Sequence, residues 1–397
     1  MGEYDDDLFE EQHDFDNEIE EIEELEIENN FDPEDEEEGA DTEIIGIFEP
    51  KDEKIDFNPK DENINFYDKL DTNFTPSDEN KREGFSSKEN IKTEEDIYVP
   101  ERNVEFAEMT GIILGDGNIY INEDTRRNYF RIYSNRLEER DYNNYVKQQF
   151  EKIFGIKPRI EDRKDSAGRA FIVENKPIIR GLIKTGLEAG NKVKNQVKIP
   201  KWIESNDQNK IGCLRGLFDT DGSIYIRNTQ KAIGLNFKNG SLPLIKDFKR
   251  LCASLDIKTQ KIPKPKISVN PLTKEEFKTY QVTIENKSDI SKFINTINPK
   301  KWEFRAETLG IALISHQDPV KRKSIQKELN NLYSDKKIHY TSEYKEKLRS
   351  LCQKYGYEIN KDTIKNSIKN SLHDKRKPIE LLDSEVVRLI KDLDKIL

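Results

Sequence analysis

The sequence predicts an α+β protein in which one unit, read as helix, two strands, helix, two strands, helix, occurs twice. Three observations carry this. The phrase "MTGIILGDGNIYI" (Met109–Ile121) returns as "LRGLFDTDGSIYI" (Leu214–Ile226), each position 105 residues later. After both copies, strand-like and helix-like periodicities alternate in the same order. Shorter echoes keep the register: "FGIK" with "LDIK", "VENKPIIRGLI" with "IENKSDISKFI", and "IPKW" with "PKKW", so that Trp202 and Trp302 each close a unit. A period this long marks a duplicated domain rather than a solenoid.

The flanks differ in texture. Residues 1–100 hold 38 acidic and 8 basic residues, whereas the remaining 297 hold 40 and 58, so the overall net charge of −12 averages two opposite regions. Residues 1–97 read as an acidic, disordered tail, because like charges three and four apart in "EIEEIEELEIE" oppose a helix. The tail reads first as a solubilising segment, with its only apolar islands, "EIIGIFEP" and "INFYDKL", as candidate docking motifs for a protein partner. Three cysteines without a CxxC pair exclude a disulfide framework and fit a reducing, cytoplasmic setting. No apolar run reaches the length of a membrane span, and the acidic start excludes a signal peptide.

The elements follow in order. "YVPERNVEFAEMTGIILGDG" predicts a helix with Pro100 in its first turn and Gly117 at its end. "NIYIN", "YFRIYS", "KPRIE" and "RAFIV" predict strands, with the helix "RDYNNYVKQQFEKIFG" after the second and "KPIIRGLIKTGL" after the fourth. The second unit repeats this: helix "NDQNKIGCLRGLFDTDG", strands "SIYIR" and "AIGLNFK", helix "LPLIKDFKRLCASLDI", strands "TQKI" and "KTYQVTIE", helix "SDISKFINTI". The units span residues 98–203 and 204–307. Residues 308–397 form a basic helical region ending in "ELLDSEVVRLIKDLDKIL", whose apolar positions 382, 386, 389, 390, 393 and 397 make one helical stripe that packs on the body or a partner.

Ala107, Gly111 and Gly115 share one face of the first motif helix, and Gly212, Gly216 and Thr220 share the matching face of the second. Such stripes let two helix backbones approach closely. Asp116 and Asp221 then sit together at helix C-termini, where the helix dipole and each other's charge disfavour them. Divalent cations relieve both problems, and hard oxygen ligands favour Mg²⁺. Two such acids within a basic body fit metal-assisted attack of water on a phosphodiester. A lone Asp-Gly is an ordinary cap and turn. The double occurrence in register argues against that reading, and the spacing of "DTDGSI" excludes a calcium loop, whose first and twelfth positions fall on Leu217 and Asn228.

"LRGLFDTDG" and, more loosely, "MTGIILGDG" resemble the motif that names the LAGLIDADG (dodecapeptide, DOD-type) homing endonucleases, and the order of elements from about Tyr98 to Glu307 is similar to theirs. The resemblance implies saddle-shaped antiparallel sheets in the DNA major groove and a metal-dependent (Mg²⁺ or Mn²⁺) double-strand cut at a specific site. It also implies a monomer with internal pseudo-dimer symmetry. Asp116 and Asp221 become the metal-binding catalytic acids, with the Gly115 and Thr220 carbonyls as further ligands. Leu114 departs from the motif's first acid, which Asp219 keeps; that acid is not the essential one. The family's lysine late in each repeat maps to Lys194 or Lys198, with Lys198 taken, and to Lys300 or Lys301, with Lys301 taken. Some relatives lie inside inteins; starting at Met1-Gly2 and ending in "DKIL", this chain reads as free-standing.

Strand alternation assigns the DNA-facing set. It comprises Asn118, Tyr120, Arg131, Tyr133 and Arg159 from the first unit. Ser223, Tyr225, Arg227, Asn236, Lys238, Lys261 and Gln281 come from the second. Arg reads guanine edges, Asn and Gln read adenine, and Lys meets phosphate. The units differ at equivalent places, so the double-stranded target is asymmetric. A DNA-binding regulator or RNA-splicing maturase on the same scaffold is the alternative function. A protein-interaction module explains the tail but not the repeated phrase. The tail is further expected to imitate nucleic acid and screen the basic body.

Overall fold

The computed structural model describes residues 97–122, 125–164, 166–227, 232–269, 274–333, 341–373 and 384–397. Residues 1–96 of the tail, with its islands, and position 382 lie outside these residues.

Each repeat builds the expected order. In the first, helix α1 (Val104–Asp116) leads into β1 (Gly117–Asn122) and β2 (Arg127–Asn135), then α2 (Arg140–Phe154), β3 (Arg159–Asp162), β4 (Gly168–Val173) and α3 (Lys176–Lys184). Asn103, not Pro100, starts α1: its side chain accepts the Phe106 N–H, satisfying a donor that the first turn leaves open. A short α4 (Lys192–Asn195) and a 3₁₀ turn over Lys201–Ser205 follow. The second repeat gives α5 (Asp207–Asp221), β5 (Gly222–Arg227), β6 (Ala232–Asn239), α6 (Leu242–Ser254), β7 (Lys266–Val269), β8 (Glu276–Ile284) and α7 (Lys287–Ile297).

The sheets have the same antiparallel topology, β1-β2-β4-β3 and β5-β6-β8-β7. Their registers also match: Gly117 pairs with Ile132 and Asn118 with Arg131, while Gly222 pairs with Phe237 and Ser223 with Asn236. Every one of these positions recurs 105 residues later, so the duplication extends to strand pairing. One expectation fails. "TQKI" forms no strand; β7 begins at Lys266, directly after Pro265, because prolines at 263 and 265 cannot donate to a ladder.

One face of each sheet carries helices. Ile119, Phe130, Ile132, Phe171 and Val173 from the first sheet, and Ile224, Leu235, Phe237, Val282 and Ile284 from the second, enter a continuous core. Helix α2 meets it with Tyr142, Val146, Phe150 and Phe154 at four-residue spacing, and Phe248 of α6 stacks on Phe237 with ring centroids 4.2 Å apart. Each such aromatic contributes roughly 1.5–3 kcal/mol by leaving water.

The C-terminal region is helical, as expected: α8 (Lys300–Ser315, running across residue 307), α9 (Pro319–Tyr333), α10 (Ser342–Lys354), α11 (Lys361–Leu372) and α12 (Ser384–Ile396). Helix α11 seats Ile364 where a side chain at Gly310 would lie, and the Ser367 hydroxyl donates to the Gly310 carbonyl at 2.9 Å. The terminal amphipathic stripe packs on the body: Val386, Leu389 and Leu393 are buried, and the Asn295 amide donates to the Glu385 carbonyl at 2.7 Å. No helix among the described residues is long and apolar enough to cross a membrane.

Candidate active site

Helices α1 and α5 share a more extensive contact than any other pair of elements among the described residues. The glycine stripes are the cause. A methyl group at Gly111 would collide with the Cys213 carbonyl oxygen, one at Gly212 with that of Val104, and one at Gly216 with that of Glu108. At the C-terminal end the space beside Gly115 is filled by the Thr220 side chain. A partly buried ion pair links the two helices at their crossing: Arg215 on α5 meets Glu108 on α1 at 2.9 Å. The Tyr145 hydroxyl donates to the other Glu108 oxygen at 2.5 Å. Nothing in the motif's spacing announces this cross-link.

The pair therefore delivers Asp116 and Asp221 to one place. Burial pushes the Asp116 carboxyl up to about 7, and the Asp221 charge pushes the same way against the ammonium groups of Lys301 and Lys192. Asp221 is raised by burial too, opposed by Lys192 and by the Asn239 amide, which donates to it at 2.8 Å. Asn135, which ends β2 as Asn239 ends β6, accepts from the backbone N–H groups of Leu137 and Glu138.

Two lysines complete the site. The Lys192 ammonium donates to the Leu114 carbonyl at 2.9 Å and to the Gly115 carbonyl. Its pKa is lowered by burial, with Asp221 and Asp116 acting against that shift. The Lys301 ammonium lies 3.5 Å from the Thr220 carbonyl and 2.9 Å from Glu139. Gly115 and Thr220 are themselves 105 residues apart, so each carbonyl preceding an acid faces one lysine. Burial opposes ionisation of Glu139, but the Lys301 and Arg305 charges outweigh it and bring this carboxyl down to about 2.

Sequence reasoning missed Lys192. Lys198 is exposed, and in the first repeat the ammonium at the helix ends belongs to Lys192 instead. One signal was available: Lys192 follows Asp116 by 76 residues and Lys301 follows Asp221 by 80. Lys194, exposed on α4, and Lys300, whose ammonium pairs with Glu303 at 2.9 Å, point to other surroundings.

A cation fits this donor set. Two half-buried carboxylates and two carbonyls converge, and Lys192 already places positive charge among them. Among the described residues no group of three or more His, Cys, Asp or Glu side chains is placed to hold a metal. Any cation here would use the two acids, the carbonyl oxygens and water, the hard-oxygen environment that Mg²⁺ or Mn²⁺ accepts.

The strand residues divide as alternation requires. Asn118, Tyr120, Tyr129, Arg131 and Tyr133 occupy the sheet face opposite the core, where Tyr129, Ala170 and Ile172 form a separate small cluster with Tyr120 and Tyr133. Tyr120 stacks on Tyr129 at 4.9 Å, and the Arg131 guanidinium lies 4.1 Å from the Tyr129 ring centroid. Arg159 on the edge strand pairs with Glu174 at 3.0 Å. In the second sheet Ser223 faces Asn236 and Lys238 faces Gln281. Tyr225 lies over Gly234, and Arg227 donates to the Glu285 carbonyl at 3.0 Å. Lys261 is exposed in the irregular segment before β7, not on a strand.

Residues 208–298 match the family described as a LAGLIDADG-like domain. That segment holds most of the second repeat, from the motif helix α5 to α7. A segment of 142 residues is 32% identical to the replication factor C small subunit of Methanocaldococcus jannaschii, taking in 33% of this chain. The match spans only 7% of that protein's length. Similar solved structures include variants of the homing endonuclease I-DmoI, at 18% identity, covering 50% of this chain and 97% of that one with a TM-score of 0.34. The meganuclease I-SmaMI bound to uncleavable DNA is 14% identical, with coverages of 64% and 98% and a TM-score of 0.30. The N-terminal LAGLIDADG domain of DUF199/WhiA is also 14% identical, with coverages of 51% and 86% and a TM-score of 0.30.

Proposed function

We propose that this chain is a site-specific DNA endonuclease of the LAGLIDADG type that hydrolyses one phosphodiester on each strand of an asymmetric duplex. The observation that carries the reading is the doubled constellation at the ends of α1 and α5: an acid, a preceding carbonyl and a lysine ammonium, once from each repeat. Asp116 and Asp221, with the Gly115 and Thr220 carbonyls, would hold divalent metal, which supplies positive charge to the attacking water and the scissile phosphate. The chain's own groups do the rest. Lys192 and Lys301 carry protons at Nζ beside each acid, placed to offset charge developing on a phosphate oxygen. The faces carrying Asn118, Tyr120, Arg131, Tyr133 and Arg159 in one sheet, and Ser223, Tyr225, Arg227, Asn236, Lys238 and Gln281 in the other, bind the two unlike half-sites. Exposed Lys261 adds a phosphate contact from its loop.

The test incubates the full chain and its Asp116→Asn/Asp221→Asn variant with a randomised duplex library and Mg²⁺ or Mn²⁺, then sequences new ends. Recurrent ends within one long asymmetric sequence, absent with the variant, are expected. Equal retention of sequences by both proteins without cutting would contradict cleavage and make the chain a binder on a nuclease scaffold; retention of structured RNA would make it a maturase.

A further inference from the structure

The two repeats disagree at one motif position. Leu114 and Asp219 are equivalent by the 105-residue offset, and both are buried, at 3% and 0% exposure. The Asp219 carboxylate is not turned toward the acids. One oxygen accepts the Lys300 backbone N–H at 2.9 Å and the other accepts that of Lys301 at 2.9 Å. These are the first two amides of α8, and the residue before them, Pro299, offers no side-chain cap. A helix without a local cap leaves its first N–H groups unpaired, and here a side chain from α5 supplies the acceptors. The first repeat has no such need. Lys192 stands on α4, whose own N-cap, Asn191, accepts from the Val193 and Lys194 amides.

We infer that Asp219 is a positioning residue: it caps α8 from the motif helix and thereby holds the Lys301 ammonium against Thr220 and Glu139, while in the first repeat Asn191 does this locally for Lys192 and frees position 114 to be leucine. The inference rests on the proposed role of Lys301. It explains why the motif's first acid is needed in one copy and not in the other. Asp219 sits two residues before Asp221, so the same helix end that presents the acid also sets the lysine. Helix α8 transmits that position in a second way, since Arg305, one turn beyond Lys301, also reaches Glu139 at 3.8 Å.

The test compares the full-length wild type with Asp219→Ala, Asp219→Asn and the double variant Asp219→Ala/Pro299→Asn. In metal-free protein, amide hydrogen exchange at Lys300 and Lys301 should quicken about tenfold in Asp219→Ala, the size of a lost cap. It should be intermediate in Asp219→Asn, which keeps one strong acceptor and answers the question if the alanine variant fails to fold. At Lys301, the N2 position, exchange should return toward wild type when Pro299→Asn restores a local cap, while Lys300 at N1 stays quick. On a plasmid carrying the cleavage site, Asp219→Ala should accumulate nicked circles, because only the strand served by Lys301 slows, and the added Asn should reduce them. Unchanged exchange at the two amides, or equal slowing of both strands, would overturn the inference. If the wild type cuts neither strand, the proposed function fails and the exchange result alone decides the cap.

Discussion

In the first repeat the ammonium beside the motif helix comes from a helix of 4 residues with its own asparagine cap; in the second it comes from a helix of 16 residues capped by another helix. The sheets differ as well. The face of the first away from the core carries stacked tyrosines with Arg131 against them, and that of the second carries Ser223, Asn236, Lys238 and Gln281. Against these differences stand the features that do match: strand register, glycine contacts, and the sequence of carbonyl then acid. The two-fold requirement therefore falls on backbone approach and on the atoms that would meet a cation. Supporting side chains differ between the halves, and under the proposed function those differences would let one chain treat two strands and two half-sites unequally.

The largest expected effect separates the two lysines. Replacing Lys192 or Lys301 by Met should slow one strand's cut by about 10²–10⁴-fold, the scale of removing a positioned charge or proton donor. The slowed strand should differ between the two variants, as read from end-labelled duplex. Equal slowing of both strands by either variant would dissolve the comparison.

Glu139 sharpens it further, because the matching helix start in the second repeat is capped by Ser241. Its carboxyl, held near 2 rather than its ordinary 4.5, contributes stability present above about 4.5 and lost as pH falls toward 2. Glu139→Gln should therefore cost about 3 kcal/mol at pH 7, with the gap to wild type closing in acid. Urea unfolding across that range is the check; a gap independent of pH would remove the ion pair from the account. Gly216→Ala should cost about 1–3 kcal/mol by forcing α1 and α5 apart, whereas Ala at Gly155, a left-handed position with open space around it, should strain only its own turn. Thermal melts of both compare the shared axis with a peripheral cap. The smallest effect concerns the acidic segment: deleting residues 1–93 should tighten DNA binding several-fold at low salt, with the difference fading as salt screens it.

Local rules made most of the fold legible. Alternation placed Asn118, Arg131, Ser223 and Asn236 on the face away from the core, and the repeated phrase located both acids and the helix stripe. Legibility ended where contacts span long separations. Asp219 meets amides 81 and 82 residues away, and Arg215 meets a carboxylate 107 residues away. Lys192 escaped because its four-residue helix leaves no periodic trace, while Lys198 stands four residues before Trp202 much as Lys301 stands just before Trp302. Strand β7 was misplaced because "TQKI" carries the period of a strand but the prolines after it move the pairing downstream.

The central claim is that one acid from each repeat forms a single shared site. Its most direct test uses Asp116→Asn and Asp221→Asn separately on the recognised duplex, with both strands labelled and metal present. A shared site predicts that either variant alone stops the cutting of both strands. Normal cutting of both strands by either single variant, or loss of only one strand's cut with the other at full rate, would contradict it.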